Sequence, residues 1–522
     1  MSSAGQARAQ MHAPSDGPRA RPDLGQRLQL QIDSLAYGGA GVARLGVEGY
    51  VVFVDGAIPG DCVIAEVYKR KRSYAHARTI EVLQASAERI APAAQHPGVP
   101  WQVLPYQRQL QEKQRQVDEA LRRIGGLSGY QLEPIVPAIE QWRYRNKLEY
   151  SFGRGEGGEL VCGFHAPARW NRVLPITDCL LASPLGNRAH QIALQWARAE
   201  GLPPWERPVS QGRHHRASRR AGDGVAWADE DPARADRALA QAGDRVARPD
   251  RPSAQAGDRV AQLRNLVVRE GRRTGKLQIR LVTTPGEVDA ASLAQQLRDQ
   301  LPQDVISGVL WTRSNQLAET TSGGETQLIF GEARLPERLL DLDLRISPEA
   351  FLQTNTEMAE VLYRLVAQYA ELHHFERVYD LYSGTGMIAL SLAGSAGEAW
   401  GIELSEAAVA DARAAADRNG ISAAQFIAGD VQSILPQLSE GVGRPDVIVV
   451  DPPRAGLSQK VVRRIIEAAP KRIVYVCCNP TTLAPNAAQL EDAGWRLTRV
   501  RPVDMFPQTH HIECVAAFHR VS

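Results

Sequence analysis

The stretch RIVYVCCNP (Arg472–Pro480) joins an apolar run typical of a β-strand to a cysteine pair and an Asn-Pro step. Proline has no backbone N–H, so a strand inside a sheet cannot continue through Pro480. The sequence therefore predicts a strand that ends here, with the thiol of Cys478 at its carboxyl end. In open α/β sheets, ligands and reacting groups collect at that end of the strands. A thiol in this position indicates covalent catalysis.

A regular pattern surrounds this stretch. From about Ile346 onward, segments typical of strands alternate with helical segments, which predicts a doubly wound, mostly parallel α/β sheet of seven strands. The predicted strands are Arg377–Tyr382, Glu398–Leu404, Ala424–Ala428, Asp446–Val450, Arg472–Cys478, Arg496–Val500 and Glu513–Phe518.

The earlier part of the chain follows a different pattern. Leu28–Leu83 has short alternating apolar segments and glycine-rich turns, which predict a small five-stranded Greek-key β-barrel. Within it, Tyr68–Tyr74 mixes four cations with two aromatics, a composition that suits phosphate contact and base stacking, or a charged edge strand. Further along, Gln107–Ile124 is predicted to be helical, and Trp142–Gly153 to be a strand rich in cations and aromatics.

Length and composition limit the remaining possibilities. The 522 residues suffice for roughly three domains, and the 61 basic against 59 acidic residues give no overall charge that indicates a nucleic-acid partner. Six cysteines without regular disulfide spacing favour a reducing, cytosolic setting. No segment has the roughly 18 consecutive apolar residues that a membrane helix needs.

Two segments are predicted to be disordered. Residues 1–23 lack the apolar core of a secretory signal and are expected to form a tail. Residues 206–262 are dense in Arg, Ala, Asp and Gly and repeat AQAGDRVA, at Ala240–Ala247 and Ala254–Ala261. Such a composition buries too little apolar surface to offset the entropy of ordering, which predicts a disordered insertion.

A glycine-rich turn indicates a cofactor site. VYDLYSGTG (Val378–Gly386) is a strand that ends in a turn containing Gly384, where the backbone can approach a ligand. The second strand ends at Glu403, a position suited to accepting hydrogen bonds from ribose hydroxyls. Asp430 follows the third strand and Asp451 the fourth. This set, without the third glycine of a dinucleotide motif, points to S-adenosylmethionine.

With these motifs the chain resembles the RNA uracil-5-methyltransferase family, whose members use S-adenosylmethionine to make 5-methyluridine in ribosomal or transfer RNA. The matching motifs are FLQTN (Phe351–Asn355), DLYSGTG (Asp380–Gly386), GIE (Gly401–Glu403), DPPRAGL (Asp451–Leu457), YVCCNPTTLA (Tyr475–Ala484) and DMFPQTHHIE (Asp504–Glu513). The barrel resembles the RNA-binding TRAM domain through SLAYGGAGVARLG and FVDGAIPGD. The resemblance implies a TRAM domain over 24–85, a central α+β RNA-binding domain over 86–344 and a Rossmann-like class I methyltransferase domain over 345–522.

The resemblance also implies roles for individual residues. The thiolate of Cys478 would add to carbon 6 of uracil, which makes carbon 5 nucleophilic, and Glu513 would remove the carbon-5 proton, with His510 and His511 as rival bases. Asp451 would contact both the cofactor and the target base. The expected cofactor contacts are Gln353, Tyr382, Gly384, Glu403, Asp430 and Asp451. Strand alternation turns Cys477 to the opposite face from its neighbour and assigns it to packing.

One family feature is missing from the sequence. Many relatives hold an iron–sulfur cluster in the central domain through three cysteines before a helix and a fourth later in the chain. Here Ile90–Gln114 contains no cysteine, and Cys179 matches only the fourth position. Because a cluster needs four ligands, we expect none, and we expect Cys179 to be packed and reduced.

The identity of the RNA is predicted by analogy alone. The TRAM-like barrel favours 23S ribosomal RNA over transfer RNA as the substrate of a cytoplasmic enzyme that we expect to be a monomer. An RNA cytosine-5 or exocyclic-amine methyltransferase is an alternative, but Arg454 stands where an amine enzyme has an aromatic residue after Pro-Pro. An RNA-binding or RNA-folding protein without catalysis is an alternative of another class.

Overall fold

The structure is a computed structural model that describes residues 21–46, 49–166, 169–206, 260–318 and 320–521. The described residues group into two compact units, one of residues 21–93 and 100–108 and one of the rest. Most of the predicted tail and of the predicted insertion, with its repeats, lies outside the described residues. At the far end of the insertion, Val260 forms a β-bridge with Glu287 and Ala261 is buried, so ordered chain resumes slightly before Leu263.

The first unit is a single sheet of six short strands around a small apolar core. The strands are β1 (Arg27–Gln31), β2 (Ser34–Leu35), β3 (Gly41–Leu45), β4 (Tyr50–Asp55), β5 (Cys62–Arg70) and β6 (Tyr74–Gln84), in the order β1-β5-β6-β4-β3-β2. Alternate residues of β4, β5 and β6 are buried, because side chains of a strand point to opposite faces in turn. The strand beyond the predicted five is the two-residue β2.

The second unit contains helix α1 (Tyr106–Arg123), except for its first three residues, which belong to the first unit, and a seven-stranded mixed sheet. The strands of this sheet, in spatial order, are β10 (Arg169–Pro175), β9 (Leu160–Ala166), β8 (Lys147–Arg154), β11 (Leu263–Gly271), β12 (Lys276–Thr283), β13 (Ile306–Arg313) and β14 (Glu325–Gly331). Helices α2 (Pro184–Ala199) and α3 (Ala290–Gln300) and the hairpin of β15 (Leu335–Leu339) and β16 (Leu342–Ile346) complete this region.

The strand predicted at Trp142–Gly153 begins later than expected, at Lys147. Residues before it bond to segments outside the sheet: the N–H of Arg143 donates to the carbonyl of Leu180 at 2.7 Å, and that of Asn146 to the carbonyl of Thr354 at 2.8 Å. Arg143 also has a left-handed φ of 58°. These non-ladder bonds prevent the strand from extending toward its N-terminus.

A second sheet of this unit has eight strands. In spatial order they are β19 (Ala424–Ala428), β18 (Glu398–Glu403), β17 (Arg377–Leu381), β20 (Val447–Val450), β21 (Arg472–Cys477), β23 (Glu513–Arg520), β22 (Trp495–Val503) and β7 (Gln131–Leu132). The first five are parallel, and β23 is antiparallel to both neighbours. Seven strands match the prediction, and the eighth, β7, joins the edge from the earlier part of the chain.

Helices connect these strands. They are α4 (Thr356–Ala370), α5 (Met387–Leu392), α6 (Glu406–Arg418), α7 (Val431–Gly441), α8 (Gln459–Ala468) and α9 (Pro480–Asp492). All four residues of β20, VIVV, are buried, as expected for a central parallel strand covered on both faces. In the part of the chain that the structure describes, no helix has both the length and the apolar run that crossing a bilayer requires.

The order of the strands determines where this sheet can form a ligand site. Successive strands run outward in one direction from β17 to β18 and β19, and in the other direction to β20 and β21. At such a topological switch point the loops after the strands diverge and leave a crevice at the carboxyl edge of the sheet. The loops after β17, β20 and β21 all open at this edge.

The segment Asp504–Thr509, just before β23, is held by side chains from distant parts of the chain. Lys113 of α1 donates to Asp504 Oδ1 at 2.6 Å and to the carbonyl of Phe506 at 3.0 Å. Asn355 Nδ2 also donates to the Met505 carbonyl, and Tyr144 Oη to the Pro507 carbonyl. Gln508 and Gln109 exchange two hydrogen bonds: the Gln508 N–H donates to Gln109 Oε1, and Gln109 Nε2 donates to Gln508 Oε1. Both charged side chains of the Lys113–Asp504 pair are fully buried.

Breaking this buried ion pair on one side should be costly. Lys113→Met leaves the Asp504 carboxylate in the core without its cation, and we expect a loss of about 3–5 kcal/mol in the free energy of unfolding, measured by urea titration. The double variant Lys113→Met/Asp504→Leu should recover part of that loss, because no uncompensated charge remains.

The matched control is an exposed pair on a helix. Arg464 and Glu467 form an ion pair at 2.6 Å with both side chains largely solvated. We expect Arg464→Ala to cost less than about 1 kcal/mol. Equal losses for Lys113→Met and Arg464→Ala would contradict the importance assigned to the buried pair.

Candidate active site

The pairing of β21 with β23 brings the predicted nucleophile and base together. In this antiparallel register Cys477 lies opposite Cys514, and the ladder ends there, with Cys478 and Glu513 as the residues next to that pair. Cys477 and Cys514 are buried in the core, and alternation turns Cys478 and Glu513 to the opposite face. Cys478 is partly exposed, whereas only 5% of Glu513 is exposed.

The loop after β20 places Asp451 beside them. The N–H of Asp451 donates to the carbonyl of Leu381 at 3.3 Å, which joins the ends of β17 and β20. The next residues are tied to the start of α9, because Asn479 Nδ2 donates to the carbonyl of Arg454 at 3.2 Å. Asn479 also caps α9, accepting from the Thr481 N–H at 3.0 Å, and Pro480 occupies the first turn. Strand β21 ends at Cys477, one residue before Cys478, as the Asn-Pro step predicts.

The site is acidic and poorly solvated. Burial raises the pKa of Glu513 well above its usual range, and the nearby charge of Asp451 raises it further. Burial raises the pKa of Asp451 to about 7. The pKa of Cys478 is also raised, first by burial and then by the charges of Glu513, Cys477 and Asp451. The positive charge of Arg454 opposes these effects at both Cys478 and Glu513.

The rival base His511 has a different environment. Its Nδ1 lies 3.0 Å from Nη2 of Arg454, and a guanidinium can only donate, so this nitrogen accepts. Burial, with the charges of His510, Arg454, Arg145 and Lys113, lowers the pKa of His511 strongly. A weakly basic imidazole that already accepts from Arg454 is poorly suited to removing a proton, which favours Glu513.

The glycine-rich turn after β17 is held against Glu403. The N–H of Gly384 donates to Glu403 Oε2 at 3.0 Å, and the N–H of Ser405 donates to Oε1 at 2.9 Å. A Cβ at Gly384 would meet nothing within 4 Å, so the turn faces open space. Gly386 has another function: a Cβ there would lie 2.6 Å from the Phe426 ring, so this glycine is required by packing.

Polar atoms at the base of the turn lack protein partners. Asp380 is fully buried; its Oδ2 accepts from the Ala389 N–H at 3.0 Å, and its Oδ1 has no hydrogen-bond partner. Ser383 Oγ is likewise buried and unpartnered. Tyr382 has a left-handed φ of 65°, a conformation that costs a non-glycine residue about 1–2 kcal/mol. Strain and unpaired acceptors of this kind are typical of ligand sites.

The two other predicted cofactor residues have clear structural functions. Asp430 is exposed and caps α7 by accepting from the Gln432 N–H at 3.2 Å. Gln353 is buried, and its carbonyl accepts from Asn146 Nδ2 at 2.9 Å.

Two features were missed by sequence reasoning. Tyr363 of α4 is buried beside the site, where burial and the charges of Asp451, Asp380 and Glu513 raise the pKa of its phenol. A tyrosine on the apolar face of a helix reads as core, so no sequence signal distinguished it. The contact between Arg454 and His511 was also missed, because the two residues are 57 positions apart.

The surroundings of Cys179 do not suit an iron–sulfur cluster. The N–H of Gly98 donates to His96 Nδ1 at 3.0 Å, so the proton of this imidazole is on Nε2, which lies 3.2 Å from the sulfur of Cys179. Among the described residues, no three His, Cys, Asp or Glu side chains are grouped to hold a metal. One buried thiol cannot supply four ligands. That the protein has no cluster stays a prediction, which iron analysis would test.

The first unit presents a cluster of rings on its outer face. We call Phe53 of β4, Tyr68 of β5 and Tyr74 and His76 of β6 the aromatic platform. Its ring centroids are 5.4 Å apart for Phe53 and His76, 5.5 Å for Tyr74 and His76, and 5.9 Å for Tyr68 and His76. The turn that joins β5 to β6 adds exposed Lys71 next to the platform.

Comparisons with known proteins agree with this architecture. Residues 443–521 match the family model described as tRNA (uracil-5-)-methyltransferase, residues 357–475 match the methyltransferase small domain, and residues 23–80 match the TRAM domain. An uncharacterised RNA methyltransferase of Chlorobaculum tepidum is 32% identical over 98% of this chain and its own full length. A second one, of Gloeobacter violaceus, is 34% identical over 95% of this chain and 97% of its own.

A solved structure has a similar fold. The crystal structure of Pyrococcus abyssi tRNA (uracil-54, C5)-methyltransferase in complex with S-adenosyl-L-homocysteine covers 94% of this chain with a TM-score of 0.69. The match extends over the full length of the Pyrococcus abyssi protein, and the two sequences are 24% identical.

Selective alkylation tests the placement of the thiols. Iodoacetamide should modify the partly exposed Cys478 well before the buried Cys477, because only an accessible thiolate reacts. Since the pKa of Cys478 is raised, its rate of labelling should rise about tenfold per pH unit between pH 7 and 9. Peptide mass spectrometry measures both, with Cys478→Ser as the control for assignment. Equal labelling of the two thiols would contradict this geometry.

Proposed function

The chain belongs to the RNA uracil-5-methyltransferase family, and we propose that it forms 5-methyluridine in RNA through a covalent bond between Cys478 and the target base. The strongest support is the β21–β23 register: Cys478 and Glu513 directly follow and precede the paired Cys477 and Cys514, and the charge of Glu513 acts on the Cys478 thiol. Asp451 at the end of β20 completes the set.

The proposed reaction overcomes the weak nucleophilicity of uracil carbon 5. The Cys478 thiolate adds to carbon 6, and the electron pair of the 5,6 double bond moves into an enolate, which makes carbon 5 nucleophilic. After carbon 5 has gained the methyl group, Glu513 removes its proton. The electron pair of that C–H bond restores the double bond and expels the thiolate. A carboxylate with a raised pKa is a stronger base, as this step requires.

The cofactor in this proposal is S-adenosylmethionine, which supplies an electrophilic methyl group on a positively charged sulfonium. The residues of the turn fit this group: Asp380 has a buried, unpaired carboxylate oxygen, and Gly384 faces open space. Two backbone N–H groups already donate to the Glu403 carboxylate, and its remaining lone pairs would accept hydrogen bonds from the ribose hydroxyls. The same cluster of buried carboxyls suits a cationic ligand. Gln353, Tyr382, Asp430 and Asp451 are proposed as further contacts.

Asp451 is proposed to orient the uracil. A carboxyl with a pKa of about 7 exists in both protonation states at neutral pH, so it can donate to or accept from the polar edge of the base. The target uridine must leave any stacked helix to reach Cys478, so the substrate is a single-stranded or flipped nucleotide.

We propose that the substrate is ribosomal RNA and that the enzyme is a monomer in the cytoplasm. The TRAM domain over 23–80 supports an RNA partner, and its aromatic platform offers rings on which unpaired bases stack. Transfer RNA, which the matching family model names, is the second substrate to be tested.

Loss of the nucleophile should abolish the reaction. The assay is release of tritium from 5-tritiated uridine in unmodified large-subunit ribosomal RNA or in transfer RNA. We expect release from ribosomal RNA by the wild type, and a loss of about four orders of magnitude or more in Cys478→Ala. Glu513→Gln should instead trap the adduct, visible as an RNA–protein band on a denaturing gel. Unchanged turnover in Cys478→Ala would contradict the mechanism.

The aromatic platform should contribute to RNA affinity. Base stacking on a ring stabilises binding by about 1–3 kcal/mol, so Phe53→Ala and Tyr74→Ala should each raise the Kd for RNA about 5- to 150-fold. Because the rings are uncharged, the salt dependence of binding should not change, whereas Lys71→Ala should reduce it.

The control for the platform is Tyr37→Ala, which removes an exposed tyrosine of the same unit that is not part of the platform. Filter binding with the full-length protein measures all four variants. If Tyr37→Ala and Tyr74→Ala weaken binding equally, the platform has no specific function in RNA binding.

A further inference from the structure

Arg454 is fixed at both its backbone and its side chain, which is unusual for an exposed arginine. Its carbonyl accepts from Asn479 Nδ2 at 3.2 Å and from Thr482 Oγ1 at 3.4 Å, so the loop after β20 is fastened to the start of α9. Its Nη2 donates to His511 Nδ1 at 3.0 Å.

His511 is itself held in place. Its N–H donates to Thr509 Oγ1 at 3.2 Å, and its ring packs edge-on against Phe506 with centroids 5.9 Å apart. Thr509 in turn bonds the carbonyl of Phe506 at 2.7 Å. The imidazole is therefore presented by the same segment that Lys113 fastens to α1.

The contact requires a neutral imidazole, and the surroundings provide for that. His511 is partly buried, and this burial, with the charges of His510, Arg454, Arg145 and Lys113, keeps its pKa far below neutrality. A protonated ring would have no lone pair for Arg454 and would repel it. His511 can thus accept from Arg454 throughout the working pH range.

The position of Arg454 matters because the reacting groups are acidic. Cys478, Glu513 and Asp451 lie together in a poorly solvated site, and each anion disfavours the next. Arg454 is a cation that acts on both Cys478 and Glu513. A thiolate forms at the start of the reaction and again when the adduct breaks down, so a fixed positive charge is useful at both steps.

We propose that His511 is a positioning residue that holds the guanidinium of Arg454 beside Cys478 and Glu513, where its charge stabilises the thiolate. This inference rests on the proposed function, and it assigns Arg454 to the reacting groups. The rival assignment, contact with an RNA phosphate, would leave Arg454 without influence on the thiol.

The test compares His511→Phe, which removes the acceptor, with His511→Asn, whose side-chain oxygen restores one. Single-turnover rates at saturating RNA are measured from pH 6 to 10, together with the Kd for RNA and the Tm. We expect His511→Phe and Arg454→Gln to react about tenfold more slowly at pH 7.5, with the rising limb of the pH profile displaced upward by about one unit. The Kd should stay within about twofold of the wild type, and His511→Asn should regain most of the rate.

The direction of the displacement follows from the charges. Losing the cation leaves Cys478 facing Glu513, Cys477 and Asp451 without compensation, so the thiolate forms only at higher pH. Both substitutions disrupt the same contact, that of Arg454 with His511. The double variant His511→Phe/Arg454→Gln should therefore react no more slowly than Arg454→Gln alone. Weaker RNA binding with an unchanged pH profile would overturn the proposal in favour of a phosphate contact. The proposal would also be wrong if the effects of the two substitutions on the rate were independent and multiplied in the double variant.

A measurement without RNA separates this inference from the proposed function. Iodoacetamide labelling of Cys478 reports its thiolate fraction whatever the substrate is. We expect labelling at pH 8 to slow about tenfold in Arg454→Gln and in His511→Phe, at unchanged Tm. If no RNA is methylated but labelling slows, the proposed function fails and the positioning role stands. If labelling is unchanged in both variants, the positioning role is wrong.

Discussion

The buried ion pair of Lys113 and Asp504 is the constraint on which the rest of the active site depends. It fastens the segment before β23 to helix α1, from a residue 391 positions earlier in the chain. Two fully buried charges are tolerated only when each compensates the other, so this pair allows few alternative positions for the segment. This contact, with the hydrogen bonds to Met505, Pro507 and Gln508, positions the segment that leads to His511 and the start of β23.

The pairing register of the strands then determines which residues meet at the edge of the sheet. β23 starts at Glu513, and its antiparallel pairing with β21 sets the adjacent Cys514 opposite Cys477, the residue before Cys478. The parallel pairs of β17, β20 and β21 then fix the loops of the glycine-rich turn and of Asp451 at the same edge. The proposed nucleophile, the proposed base and the proposed cofactor turn are thus brought together by backbone ladders, which cannot shift by one residue without turning buried side chains outward.

The sequence predicted what depends on local pattern. All seven predicted strands after residue 376 form within a few residues of their expected ends, because apolar strands bounded by Gly, Pro or Asn are locally encoded. The motif residues Cys478, Glu513 and Asp451 were identified, and the structure brings them together. The contacts of Lys113, Tyr363 and His511 were not predicted, since each depends on pairing between distant segments. The two-residue strands β2 and β7 are too short to leave a periodic signal.

The site also shows how a difficult thiolate can be made usable. Burial and three neighbouring acidic groups oppose ionisation of Cys478. Arg454 opposes that effect, and its partner is a histidine kept neutral by its own burial. A carboxylate in the place of His511 would hold Arg454 as firmly but would neutralise the charge that Cys478 needs. A neutral acceptor positions the cation without weakening it, which is a physical reason for an imidazole at this position.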